Sequence, residues 1–349
     1  MSRMEAVKLA VIGAGLVGRR HAEHVAAQSG ARLTVIVDPS PIGKEVAEEL
    51  GAKWFASFAA LLAAEPPDGV IIATPNQLHL RHGLEAIAAR IPTIIEKPIA
   101  DSVAAASKLV DAAEKARIPL LVGHHRRYNP MVRKAKEIIS SGRLGRVLAL
   151  HASFWVLKPD DYFEVGWRRE KGAGPVFLNL IHDVDLFRYL CGDVVSVLAL
   201  ESNAVRGNAV EESAVILLEF ESGALGTMTI SDAVVAPWSW ELTAGENPAY
   251  PQQDQPCYHI GGTHGSLTIP HLELWSNRGK RSWWEPLVRE RISFTPEDPL
   301  AAQIRHFCEV IRGKAIPIMP GREGLETLKV IEAVKQSARS GSKIRIAKS

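Results

Sequence analysis

The chain has 349 residues, 46% of them hydrophobic and 23% charged, and a net charge of +2. These are values of a globular chain long enough for two domains. The near-neutral balance and the lack of a clustered basic tail exclude a general case for nucleic acid as partner, and no apolar run nears the ~20 residues of a membrane-spanning helix.

Residues 8–12 read as an apolar strand, followed by Gly13-Ala14-Gly15-Leu16-Val17-Gly18 and a helical segment over 19–28. In this G-x-G-x-x-G, Gly13 permits a tight turn, Gly15 lets backbone approach a pyrophosphate, and Gly18 allows close helix–strand packing. The helix N-terminus then offers N–H groups to the phosphates. A second strand, 33–37, ends in Asp38, twenty residues after Gly18. An acid there can accept hydrogen bonds from the adenosine ribose and repels a 2′-phosphate, so NAD is expected over NADP. The plainer reading of Asp38 is a turn former before Pro39. Helices are expected over 43–50, 57–64, 78–89 and 102–116, and strands over 69–73, 91–95 and 120–122. This alternation predicts a parallel doubly wound sheet over 1–123. The strand ends carry Thr74-Pro75-Asn76, Glu96-Lys97-Pro98 and His124-His125-Arg126-Arg127. All should line the carboxyl edge of the sheet, where such folds bind ligands. A lysine leaving a dry central strand is costly unless solvated or paired; a surface salt bridge is its plain alternative.

From 124 to 349 the pattern changes to an α+β domain with a large, mostly antiparallel open sheet, the expected site of substrate binding and oligomerisation. Strands are expected over 147–156, 194–200, 213–220, 224–231, 238–243 and 257–269, with turns at Glu221-Ser222-Gly223 and Gly261-Gly262. Helices are expected over 299–312 and 322–337. Such an open sheet predicts a homodimer or homotetramer, with the Trp238–Trp240 and Trp283–Trp284 pairs at the interface or in the core. A helix from Asn179 puts His182, Asp185 and Tyr189 on one face, a polar stripe that asks for a cleft or a buried network. A structural histidine is the more common occupant of such a place. Cys191, Cys257 and Cys308 form neither a C-x-x-C pair nor a disulfide framework. With the first strand starting by residue 8, no signal peptide is expected, and a cytoplasmic protein is. No metal site is expected.

Gly13–Gly18 with His21, Thr74-Pro75-Asn76 with His79, Glu96-Lys97-Pro98, Arg127 with Pro130, Trp167-Arg168, and His182 with Asp185 together resemble the Gfo/Idh/MocA family, the glucose–fructose oxidoreductase and inositol dehydrogenase group. The resemblance runs essentially end to end. It implies an N-terminal Rossmann domain, a C-terminal domain with a broad open sheet, and NAD(P)-dependent oxidation of a secondary alcohol on a sugar, cyclitol or sugar acid. It implies that Gly13, Ala14, Gly15, Leu16, Val17, Gly18, Asp38, Thr74, Pro75, Asn76, His79, Glu96 and Lys97 serve the cofactor. It implies that Lys97, Arg127, Trp167, Arg168, Asn179, His182 and Asp185 serve the substrate. Lys97 matches the family's active-site lysine and His182 its proton-transferring histidine. One departure stands out: the family usually has an aspartate four residues before the histidine, and here that position is Leu178, with Asn179 beside it. A dehydrogenase of a carboxylated cyclic diol or semialdehyde, and an NAD(P)-sensing regulator without turnover, are the two alternatives. The cations of 124–127 and 167–169 further suggest an acidic polyol, the alternative being that Arg126 and Arg169 are merely solvated.

Overall fold

The computed structural model describes residues 5–347. By contacts the chain divides into two compact units, residues 1–129 with 297–328 and residues 130–296 with 329–349.

The first unit alternates strand and helix: β1 Val7–Ile12, α1 Leu16–Ala27, β2 Ala31–Val37, α2 Pro41–Glu49, β3 Lys53–Phe55, α3 Phe58–Ala64, β4 Gly69–Ile72, α4 His79–Ala88, β5 Thr93–Ile95, α5 Val103–Ala116 and β6 Leu120–Val122. The six strands pair in parallel in the order β3-β2-β1-β4-β5-β6. Continuous burial along β4, β5 and β6, and along β1 but for Lys8, is what a sheet covered on both faces requires. Ser57 and Ser102 cap α3 and α5, each hydroxyl accepting an N–H three residues on. Strand order reverses between β1 and β4, so the crevice of such a fold opens beside the glycine-rich turn. The short edge strand β3 has no apolar alternation and is not legible in the sequence.

In the second unit α6 Pro130–Ser140 precedes β7 Val147–Trp155, α7 Ile181–Cys191, β8 Val194–Ser202, β9 Ser213–Phe220, β10 Leu225–Ser231, α8 Trp240–Thr243, β11 Tyr258–Gly262, β12 Gly265–Ile269, β13 Glu273–Asn277 and β14 Leu287–Arg291. α9 Pro299–Ile311, α10 Gly321–Ser340 and β15 Ile344–Arg345 follow. The sheet runs β14-β13-β12-β11-β7-β10-β9-β8-β15, with β7 and β10 parallel and the other neighbours antiparallel. Leu150, Ala152 and Phe154 of β7 and Ile216, Leu218 and Phe220 of β9 point into a core shared with residues of α6, α7 and α10. On the other face Val215, Leu217 and Leu225 are exposed. That is the period-two pattern of a sheet with one packed face.

Three expectations need correction. Residues 238–243 are not a strand: Ser239 caps α8 by accepting the Leu242 N–H, and the capped turn wins over β-propensity. Residues 257–269 are the two strands β11 and β12, joined at Thr263-His264 rather than at Gly261-Gly262. The contacts also give no single cut after Gly123. α9 contributes Ile304, Phe307, Cys308 and Val310 to the core of the first unit. Val122 donates its N–H to Met319 O, and Leu121 bridges Pro320, so a late segment edges the parallel sheet.

Candidate functional site

The glycine-rich turn is built from backbone. Gly13 has φ +96°, and a Cβ there would lie 2.6 Å from Ala73 O. A Cβ on Gly18 would sit 1.9 Å from Gly13 O, so only glycine lets α1 press on the turn. A Cβ on Gly15 would meet nothing within 4 Å. Gly15 is also the N-cap of α1, and no side chain occupies the helix's first N–H groups. This open, uncapped helix start is a cradle that fits a dinucleotide pyrophosphate. Leu16 and Val17 are exposed on its rim, and Ala14 donates its N–H to Asp38 Oδ2 at 2.7 Å. Asp38 Oδ1 accepts from Ser40 N and Oγ at 2.8 and 2.5 Å. The acid therefore braces the turn besides standing at the end of β2.

At the end of β5, Glu96 is buried and its Oε1 accepts a 2.7 Å hydrogen bond from His21 Nε2. Its Oε2 accepts the Lys97 N–H at 3.1 Å. Burial alone would raise the Glu96 carboxyl, but the hydrogen bond and charge of His21, with Lys97 and His125, hold it down at about 2. Glu96 is thus a fixed anion that sets the main chain of Lys97, which is partly buried and joined to Pro98 by a cis peptide. His79 is fully buried between the Pro98 and Thr74 carbonyls, Nδ1 and Nε2 each 2.9 Å from one of them, and the neutral ring donates its single N–H to one of the two. Burial pushes its imidazole below the ordinary value. It ties the end of β4 to that of β5. Thr74 is partly buried, and Pro75 and Asn76 are exposed.

The cations after β6 are placed otherwise than the sequence suggests. His124, Arg126 and Arg127 are buried, so Arg126 is not a solvated surface residue. Arg127, 3% exposed, donates from Nη2 to Glu323 Oε2 at 2.9 Å and anchors the start of α10.

In the second unit α7 is buried on nearly every side, His182 and Asp185 included. It starts at Ile181, after a π-helical turn over Val176–Leu180 that carries Leu178 and Asn179. Such turns insert a residue into the helical register. Asp183, which the sequence did not single out, is also buried and accepts the Tyr258 hydroxyl. Trp167 is exposed. Arg168 stacks its guanidinium over the Tyr162 ring at 4.1 Å and donates to Tyr162 O at 2.9 Å. Lys158, also unforeseen, donates to Asn179 Oδ1 at 3.3 Å. No spacing in the sequence links Lys158 to Asn179, because the link is made by the fold. A cavity of about 600 Å³ in the same unit is lined by Gln252, Asp254, His271 and Arg291, none of them an expected site residue. Among the described residues no cluster of His, Cys, Asp and Glu could hold a metal ion, and no helix is long and apolar enough to cross a membrane.

Comparison with known proteins covers both units. The family profile described as "Oxidoreductase family, NAD-binding Rossmann fold" matches residues 7–124, and that of the GFO/IDH/MocA C-terminal domain matches 132–268. An uncharacterised oxidoreductase of Streptococcus pneumoniae is 32% identical over 57% of this chain, which spans 54% of that relative's length. A scyllo-inositol 2-dehydrogenase (NAD(+)) of Bacillus subtilis is 25% identical over 97% of this chain and 96% of its own. An oxidoreductase from Agrobacterium radiobacter, solved with NAD+, L-tartaric acid and magnesium, superposes with a TM-score of 0.83 at 24% identity, covering 98% of this chain and 99% of its own. That last likeness is one of fold.

Proposed function

The chain belongs to the Gfo/Idh/MocA family of NAD-binding oxidoreductases, and from that premise we propose that it oxidises a secondary alcohol of a sugar, cyclitol or sugar acid by hydride transfer to NAD. The observation that carries this reading is the pairing, on one sheet edge, of an open glycine cradle at β1 with Lys97 at β5, its backbone set by the buried Glu96–His21 pair.

Gly13–Gly18 and the N-terminus of α1 would hold the pyrophosphate, and Asp38 the adenosine ribose, disfavouring NADP. Thr74, Pro75 and Asn76 stand at the switch point where the nicotinamide end would lie, with His79 shaping that loop. When bound, NAD supplies the hydride acceptor. His182 takes the hydroxyl proton, which suits a group whose ordinary pKa is ~6.5. Lys97 stabilises the developing alkoxide or relays the proton. Asn179, Asp185, Trp167 and Arg168 belong to the substrate side, which residues 130–296 provide. Arg127, paired with Glu323, acts as a strut within the first unit. The exposed apolar face of the nine-stranded sheet, with Leu200 and Leu225 more than 60% exposed, is the surface on which we expect a homodimer or homotetramer, in the cytoplasm.

A screen of polyols, sugars and sugar acids with NAD+, followed by reduced-nicotinamide absorbance, tests the reading. Steady NADH formation on at least one of them is expected. Tight NAD binding with no turnover on any would favour a dinucleotide-sensing regulator instead.

A further inference from the structure

The loop after β7 carries a cation that none of these roles uses. Lys158 has a side chain only 14% exposed. Its Nζ lies 3.0 Å from Asp232 Oδ2 and donates to Asn179 Oδ1 at 3.3 Å. Its main-chain N–H donates to Asp232 O at 2.9 Å, so the residue is fixed at both ends. Asp232 is shared. Its Oδ1 accepts from Arg206 Nη1 at 2.6 Å, and its main-chain O from Arg206 Nη2 at 2.7 Å. Glu212 accepts the Val205 and Arg206 N–H groups at 2.6 and 2.9 Å and stands 3.9 Å from the Arg206 guanidinium. The Tyr162 ring lies under both Lys158, at 5.1 Å, and Arg168, at 4.1 Å, and the Phe163 ring under Arg206 at 4.2 Å. Lys158 and Arg206 are thus two cations on the two carboxylates Asp232 and Glu212, walled by rings, and Arg168 shares the Tyr162 ring with Lys158 without a carboxylate partner among the described residues.

An ammonium can only donate, so its contact fixes the Asn179 carboxamide with oxygen toward Lys158 and Nδ2 turned away. Asn179 lies in the π-helical turn directly before α7, three residues before His182. Among the described residues Asn179 Nδ2 has no hydrogen-bond partner, and Lys158 hydrogen-bonds only Asp232 and Asn179 through its ammonium. Arg168 is committed to Tyr162, and Arg127 to Glu323. We propose that Lys158 and Asn179 form a carboxylate-binding subsite, and that Lys158 is the residue by which the protein selects an acidic sugar or polyol, an aldonate or uronate, over its neutral counterpart. Arg168, the neighbour without a carboxylate, and the low exposure of Lys158 both favour an anion there, because charge-assisted hydrogen bonds strengthen where water is scarce. This rests on α7 facing the substrate, as in the proposed function.

The test is calorimetric binding to the NAD+-saturated protein of D-galacturonate against D-galactose, and of D-gluconate against sorbitol. In the unmodified protein the acid of at least one pair should bind about tenfold more tightly or better, the scale of a hydrogen bond to a charged group. Lys158→Met should abolish that discrimination with NAD affinity unchanged, the melting temperature falling because Asp232 loses one of its two cationic partners, and Lys158→Arg should restore part of both. The wild-type comparison stands even if a variant does not fold. Equal affinity for acid and neutral members, or discrimination that survives Lys158→Met, overturns the proposal. Turnover is read separately: absence of NADH formation on any alcohol would sink the dehydrogenase reading without deciding the binding comparison.

Discussion

The two units build their candidate residues from different material. At the glycine turn the first unit uses backbone: forbidden Cβ positions at Gly13 and Gly18, an open one at Gly15, and an uncapped helix start. Around Asn179 the second unit uses side chains drawn from distant segments: Lys158, Arg206, Glu212 and Asp232. A backbone site is defined by steric exclusion, so it has a spacing and fails abruptly when a methyl group intrudes. A side-chain site is defined by charge balance and can be retuned one residue at a time.

Substitutions can break that contrast. Gly18→Ala should have the largest effect. Its Cβ has no room beside Gly13 O, and isothermal titration should show NAD binding weakened at least about a hundredfold, the cost of a misplaced phosphate cradle. Gly15→Ala, which meets open space, should leave the fold intact and act on NAD affinity alone.

Glu96→Gln comes next. It removes the anion from a buried pair with His21, and loss of one partner of such a pair costs about 3–5 kcal/mol. Denaturant unfolding of the full chain should show that loss. A change under about 1 kcal/mol would mean that the pair is replaceable by neutral hydrogen bonds.

Asp38→Ser should be smaller, because the acid acts both as ribose acceptor and as brace for Ala14 N and Ser40. Competitive titration should show the NAD preference over NADP narrowing. Equal or tighter NADP binding by the unmodified protein would contradict the role given to this acid.

Acid should produce the mildest change. Burial pushes the His82 imidazole down to about 4 from an ordinary 6.5, so between those values the unfolded chain binds a proton that the folded chain does not. Stability should therefore fall as pH drops through that window. The Glu96 carboxyl, held at about 2 against an ordinary 4.5, adds stability that is lost only as pH falls further, from about 4.5 toward 2. Thermal melts across this range should show a gradual decline first and a steeper one below it. A His82→Gln chain with an unchanged profile would remove His82 from the account.

The same contrast explains what the sequence could say. Gly13–Gly18, Asp38 and Glu96-Lys97 were legible because each needs a particular residue at a strand end, and strand ends are marked by apolar runs. The helix carrying His182 was visible by periodicity, but the π-helical turn before it was not, since an extra residue in the register leaves no mark in hydrophobic spacing. Arg127 read as a substrate cation until the fold brought Glu323 to it from nearly two hundred residues away. Lys158, Asp232 and Arg206 carry no motif, and a charged residue in a loop is ordinarily solvated. α9 was expected as a helix, yet no pattern told that it packs in the first unit.

The central claim is that Lys97 and His182, one in each unit, act on one proton path. The most direct test is turnover of Lys97→Ala, His182→Ala and the double variant on the best substrate of the screen, beside their NAD affinity. Each single variant should lose about 10²–10⁴-fold in kcat. NAD binding should be nearly unchanged, and the double variant should lose far less than the product of the two. Wild-type kcat in either single variant would contradict the account.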